Sequence, residues 1–135
     1  HAIDLHQEGR LDAHVDSVRY SGDIVAGLSL LTPSILRLRP ADTDGTPISN
    51  GDLIDLLLPE RSLYVLRGIY RYEYTHELLP SGAVFAGTPV MRDRRISIIF
   101  RNAVRTVSEY GARDYCIYIG ITVRSTRDGQ ILRLE

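Results

Sequence analysis

The stretch AHVDS places His14 and Asp16 two residues apart. On an extended backbone alternate side chains share a side, so this spacing aims an imidazole and a carboxylate into the same space. A single His-x-Asp arises often by chance and carries chemistry only with a third ligand. His76, in RYEYTHELL, is the candidate; of the other histidines, His1 stands at the chain end and His6 in the turn-like HQEGR. Two imidazoles and one carboxylate form the facial set that holds non-haem Fe(II) and leaves coordination positions open for a chelating co-substrate and dioxygen. From the residues alone His14, Asp16 and His76 are one candidate set, with His1 and His6 as competing ligands and a purely structural His-x-Asp as the alternative.

Downstream, RRISIIFR at 94–101 brings a different group. Read as a strand, it puts Ile96, Ile98 and Phe100 on one face and Arg95, Ser97, Ile99 and Arg101 on the other. Guanidinium stays charged and is seldom buried without a partner. Either both arginines are strand-end residues whose heads reach water, or an anion sits between them. Arg94 belongs to the opposite face and is left out of the pair.

The elements that would position these residues read as mostly β. IVAGLSLL (24–31) and SILRLR (34–39) are short strands separated by Thr32-Pro33, a turn signal. LIDLLL (53–58) and SLYVLRG (62–68) flank PERS, where Pro59 suits the second position of a tight turn, and the pair is expected to form a hairpin. Segments 40–51 and 80–93 are rich in turn formers and predict two long exposed loops. One short helix is expected over 104–112, and CIYIGITV with QILRLE around Asp128-Gly129 predicts a last hairpin. Many short strands with turns between them argue for a β-sandwich or jelly roll.

Composition bounds the setting. A chain of 135 residues is one domain with enough length for a real core, and 44% hydrophobic with 24% charged residues is ordinary for a globular protein. The formal net charge of -1 supplies no global basic field for nucleic acid or an anionic membrane. All 16 basic residues are arginine. The single cysteine, Cys116, excludes an internal disulfide framework and fits a reducing compartment. The longest apolar run is about one strand long, so no helical membrane span is expected. With His1 rather than Met in first place, the chain is expected to be a fragment whose targeting segment lies outside it.

Taken in order, HVDS, AGLSLL, SLYVLRG, RYEYTHE and RRISIIFR resemble the Fe(II)/2-oxoglutarate-dependent dioxygenases of the AlkB family, and within it the mitochondrial branch, the seventh homologues. The likeness covers residues 1 to about 102. It implies a double-stranded β-helix (jelly-roll) core over 1–102 with little helix, and a C-terminal extension of unknown role over 103–135, packed on the same domain. The implied cofactors are Fe(II), 2-oxoglutarate as co-substrate, and O2. By position the resemblance makes His14, Asp16 and His76 the iron ligands, Arg95 the partner of the distal 2-oxoglutarate carboxylate, and Arg101 the partner nearer the keto-acid end. Ser97 lies between the arginines on the same face. Tyr64 matches a further co-substrate contact, and a core tyrosine with a satisfied hydroxyl would read the same way. Ile3 and Leu5 stand where AlkB itself has an asparagine and a tyrosine against the co-substrate, so that part of the site departs from the repair enzyme's.

The resemblance further implies hydroxylation or oxidative demethylation with release of succinate and CO2, in the mitochondrial matrix. Repair-type relatives hold a flipped base under a lid that precedes His-x-Asp, and thirteen residues precede His14 here. Together with the balanced charge, this makes a protein side chain or a small molecule the expected substrate, with nucleic acid disfavoured. An RNA or nucleobase demethylase, and a metal- and diacid-binding module without turnover, stay open as alternatives.

Overall fold

The computed structural model describes residues 1–103 together with 122–124 and 131–133. In chain order the elements are β1 (Ala2–Leu5), β2 (Leu11–His14), β3 (Ile24–Leu30), β4 (Ser34–Pro40), β5 (Ile54–Leu58), β6 (Ser62–Arg67), the one-turn helix α1 (Ile69–Tyr72), β7 (Tyr74–Leu78), β8 (Val84–Phe85), β9 (Thr88–Pro89) and β10 (Arg95–Arg101); β11 (Thr122–Arg124) and β12 (Ile131–Arg133) follow. Two four-stranded antiparallel sheets dominate, ordered β1-β10-β3-β6 and β2-β7-β4-β5. Apart from the paired β4 and β5, successive long strands alternate between the two sheets, a jelly-roll-like winding. The fold is mostly β with one short helix among the described residues.

Alternation along the strands decides which side chains meet. In β3, Val25, Gly27 and Ser29 are buried, while Ile24, Ala26, Leu28 and Leu30 are half-buried on the outer face. In β10, Arg95, Ser97 and Ile99 point inward and Ile96 and Ile98 outward. The polar set of RRISIIFR is thus the inner one. Val25, Tyr64, Leu66 and Ile99 of the first sheet close on Leu36, Leu38, Leu56 and Leu58 of the second to form the hydrophobic core.

The structure corrects two expectations about connections. LIDLLL and SLYVLRG do not form a hairpin: β5 pairs with β4 and β6 with β3, so the turn after Leu58 carries the chain from one sheet to the other. A tight turn reverses direction without fixing whether its flanks share hydrogen bonds or face each other. Here facing wins, because Leu56 and Leu58 can then bury against the same core as Tyr64 and Leu66. Segment 80–93 is not all loop, since β8 and β9 pair within it. Ala86 and Gly87 join them at φ 49° and 81°, the left-handed conformation of both central residues in a two-residue hairpin turn. Alanine at the first of these positions conceals the usual Asn-Gly signal.

β11 and β12 pair antiparallel in the region where the last hairpin was expected. The turn around Asp128-Gly129, the helix expected over 104–112, and Cys116 lie outside the described residues.

Gly27 stands opposite Tyr64 in the β3–β6 register. A Cβ at Gly27 would fall within 2.3 Å of the tyrosine ring, so the ring keeps its place only over a glycine. Gly27→Ala is expected to destabilise the fold by about 1–3 kcal/mol through overpacking. Urea denaturation checks this, and a wild-type midpoint would contradict the contact.

Candidate metal and co-substrate site

The histidines of the expected triad meet through strand register. β2 ends at His14, which stands directly opposite His76 of β7, and their ring centroids are 4.3 Å apart. Asp16 lies just past the end of β2, in the connection to β3. One ligand atom from each of His14, Asp16 and His76 falls within 4.8 Å of the others, and this is the one such group of metal-ligating side chains among the described residues. His6 is exposed in the β1–β2 turn and stays outside the group.

The protonation states suit a cation. His14 Nδ1 lies 2.8 Å from the Asp12 carbonyl oxygen. A carbonyl only accepts, so Nδ1 is the donor in this bond, and Nε2 is the ring nitrogen left to serve as a ligand atom. For His76, burial and the neighbouring His14 push the pKa from 6.5 down to about 4, with Asp16 pulling the other way. The ring is therefore neutral at physiological pH, the state a metal ligand requires. Asp16 accepts a hydrogen bond from Arg101 Nη2 on Oδ1 at 2.8 Å, and its Oδ2 lies 3.8 Å from His76 Nε2. Two imidazole nitrogens and one carboxylate oxygen thus converge, a donor set that fits a divalent transition metal.

Arg95 sits deeper on the same strand as Arg101 and is 1% exposed. Its Nε donates to Ser29 Oγ at 2.9 Å and its Nη2 to Ser97 Oγ at 3.5 Å, and it also bonds the Tyr64 hydroxyl. All of these partners are neutral oxygens, and among the described residues no carboxylate lies within ion-pair distance of Arg95. Burial raises the Tyr64 pKa, with Arg95 opposing, so the hydroxyl keeps its proton. A buried, permanently charged guanidinium faced only by hydroxyls is electrostatically incomplete, and an anionic ligand would complete it.

One cleft between the sheets is lined by the triad, Arg95, Arg101 and Tyr64, and walled by Ile3, Leu11, Val25, Leu36, Leu78 and Ile99. Ser97 does not line it; it braces Arg95 and Tyr64 from the strand. Arg94 is exposed on the other face, where it forms an ion pair with Asp4 at 2.7 Å. Every residue singled out for the triad and the arginine pair therefore borders a single space. Sequence reasoning missed Ser29, the closest partner of Arg95. The signal was the run of small inward positions, Gly27 and Ser29, beside the tyrosine.

Comparison with known proteins points the same way. Over 103 residues the chain is 42% identical to the alpha-ketoglutarate-dependent dioxygenase alkB homolog 7, mitochondrial, of Bos taurus, a match covering 76% of this chain and 44% of the relative. The mouse protein of the same name matches with the same identity and the same coverage. This chain is AlkB-like. An uncharacterised protein of Acanthamoeba polyphaga mimivirus is 31% identical over 96 residues, 70% of this chain and 43% of that protein. No family model matches the sequence. The AlkB-like chain thus spans less than half the length of the curated relatives it matches.

The state of His76 makes stability depend on pH. Its folded pKa of about 4 lies below the ordinary 6.5, so the native state binds fewer protons than the unfolded one. That contribution to stability is complete above 6.5 and is lost as the pH falls toward 4. Metal-free protein is expected to unfold at lower urea concentration at about pH 5 than at about pH 7.5. His76→Asn should remove most of that difference, and an unchanged pH slope in the variant would assign it to other groups.

Proposed function

We propose that the AlkB-like chain is the core of an Fe(II)- and 2-oxoglutarate-dependent oxygenase that hydroxylates or oxidatively demethylates its substrate, releasing succinate and CO2. The observation that carries this reading is the shared cleft: a His/Asp/His donor set at one part of it and, at another, a buried guanidinium with no carboxylate partner among the described residues.

In this reading His14 Nε2, His76 Nε2 and the Oδ2 of Asp16 hold the iron. With O2 and 2-oxoglutarate, bound Fe(II) supplies the oxidative decarboxylation that delivers an oxygen atom to a substrate C–H bond. The chain's own residues do the positioning. Arg95 binds the distal carboxylate of 2-oxoglutarate, and the Tyr64 hydroxyl adds a second donor beside it. Ser97 and Ser29 hold the guanidinium in plane for that contact. Arg101 serves the keto-acid end, and its bond to Asp16 Oδ1 orients the carboxylate so that Oδ2 faces His76. The apolar walls from Ile3, Leu36, Leu78 and Ile99 limit water around the reacting centre.

Residues 1–102 form the catalytic core in this reading, with 103–135 an extension to it. The mitochondrial matrix is the proposed location, supported by the word mitochondrial in the names of the bovine and mouse relatives. No helix among the described residues is long and apolar enough to cross a membrane.

Anaerobic Fe(II) plus 2-oxoglutarate should give the visible metal-to-ligand charge-transfer band, absent from His76→Ala. Arg95→Ala should weaken 2-oxoglutarate by about 2–5 kcal/mol, or roughly 30- to 3,000-fold, as the loss of one member of a buried charge pair. Arg94→Ala, on the outer face of the same strand, should leave it close to wild type. Equal losses at both positions would remove the arginine clamp from the proposal. A normal band without substrate-coupled succinate would favour a binding module without turnover.

For the substrate we propose a protein side chain or a small molecule. Near-zero net charge and the lack of an arginine/aromatic run in 40–51 and 80–93 support this. Titration with methylated oligonucleotides at two salt concentrations tests it. Weak, salt-insensitive binding is expected, whereas tight binding with a steep salt slope and formaldehyde release would assign the substrate to RNA or another nucleic acid.

A further inference from the structure

The strand that carries His14 is poorly held by its own sheet. β2 is an edge strand of four residues, and its register with β7 is kept at Leu11↔Leu78 and His14↔His76 with an irregularity between them. Asp16 lies beyond its end. Something other than a regular ladder must fix the segment that presents both ligands.

Arg71 of α1 occupies that position. It is 2% exposed, and its guanidinium donates from Nη1 to the Asp16 carbonyl at 2.8 Å, from Nη2 to the Ser21 and Ser17 carbonyls at 3.1 and 3.4 Å, and from Nε to the Gly22 carbonyl at 3.1 Å. Among the described residues no carboxylate pairs with it. A buried cation satisfied by main-chain oxygens of one loop dictates the course of that loop, because its N–H groups point in fixed directions within a plane. Arg71 is also five positions before His76 on a short path into β7. One side chain therefore ties the loop that bears Asp16 to the strand that bears His76.

We propose that Arg71 is a positioning residue that pre-assembles the metal site by templating the 16–22 loop through its carbonyls. The proposal rests on the metal-site reading above. Lysine would keep the charge but radiate its donors from a single nitrogen, and so could not reproduce the planar four-bond pattern.

A second buried arginine supplies an internal control. Arg92, also 2% exposed, donates to the His6 and Gly9 carbonyls at the other end of β2, in the β1–β2 turn. Like Arg71 it is buried and donates to main-chain carbonyls, but with two bonds instead of four and to a turn that bears no ligand.

The test uses the full chain with Co(II) alone as probe, read by the affinity and by the ligand-field bands of the bound ion. Wild type is expected to bind one equivalent. Arg71→Lys and Arg71→Gln should bind at least about tenfold more weakly, within the 10- to 100-fold range of lost outer-shell support, and with shifted bands. Arg92→Lys should lose thermal stability yet keep both affinity and bands. Wild-type affinity and bands in Arg71→Lys, or equal losses in Arg71→Lys and Arg92→Lys, overturn the proposal. Wild-type protein that takes up no Co(II) overturns the metal site itself, which separates the two failures. Should the Arg71 variants fail to fold, hydrogen exchange on wild type decides. Amides of 17–22 protected equally with and without Co(II) support pre-assembly, and protection that appears only with Co(II) overturns it.

Discussion

A guanidinium group cannot shed its charge, so wherever the fold encloses one, oxygen atoms must be brought to meet it. This protein encloses Arg71, Arg92 and Arg95, each no more than 2% exposed, and uses arginine as its sole strongly basic residue. Two of the three are met by main-chain carbonyls and one by hydroxyls. Much of the architecture around the cleft follows from that demand. The β1–β2 turn and the β2–β3 connection each bend so that carbonyls face an arginine, and Ser29 and Ser97 occupy buried inner positions of the first sheet beside Arg95. The difference between carbonyl and hydroxyl partners is chemically meaningful. Carbonyl shells on Arg71 and Arg92 are backbone and hold shape, whereas the hydroxyl shell on Arg95 leaves its charge without a counter-ion among the described residues.

The cleft depends equally on having two sheets. His14 and His76 come from the second sheet and its edge, Arg95, Ser97 and Tyr64 from the first. Neither sheet alone holds the donor set and the guanidinium. The link between them is the contact of Arg101 with Asp16, a first-sheet cation against the carboxylate that follows β2. That contact explains why Arg101 is less buried than Arg95 although both lie on the same face of β10: it reaches toward the end of the barrel where the chain leaves β2.

The sequence made some of this legible and hid the rest for physical reasons. Strand parity needs only a period of two, so the separation of Arg95, Ser97 and Ile99 from Ile96 and Ile98 could be read directly, and so could the exclusion of Arg94. The order His14, Asp16, His76, then Arg95 and Arg101, was also readable, because the types alone limit what chemistry they can do. Sheet membership was not. PERS marks a reversal after Leu58, but whether β5 and β6 pair or face each other is decided by the long-range partners β4 and β3, which no local window contains. The roles of Arg71 and Arg92 were hidden for a related reason. Their partners are carbonyl oxygens, which every residue has, so no side-chain type at Gly22 or Gly9 announces the contact.

The winding of the sheets also has a consequence in time. Arg101 and Asp16 are 85 positions apart, and β10 is seated between β1 and β3 only after the chain has passed through every other long strand of both sheets. Contacts of such wide separation bear the full entropy of loop closure before they contribute anything, which makes folding of this topology slow. A molecule that has paired β3 with β6 but not yet inserted β10 holds neither Arg95 nor Arg101 in the cleft. Its triad lacks the cation that fixes Asp16, and its cleft lacks the charge that would draw in a diacid. The arginine pair of the cleft is therefore complete only once β10 is seated between β1 and β3.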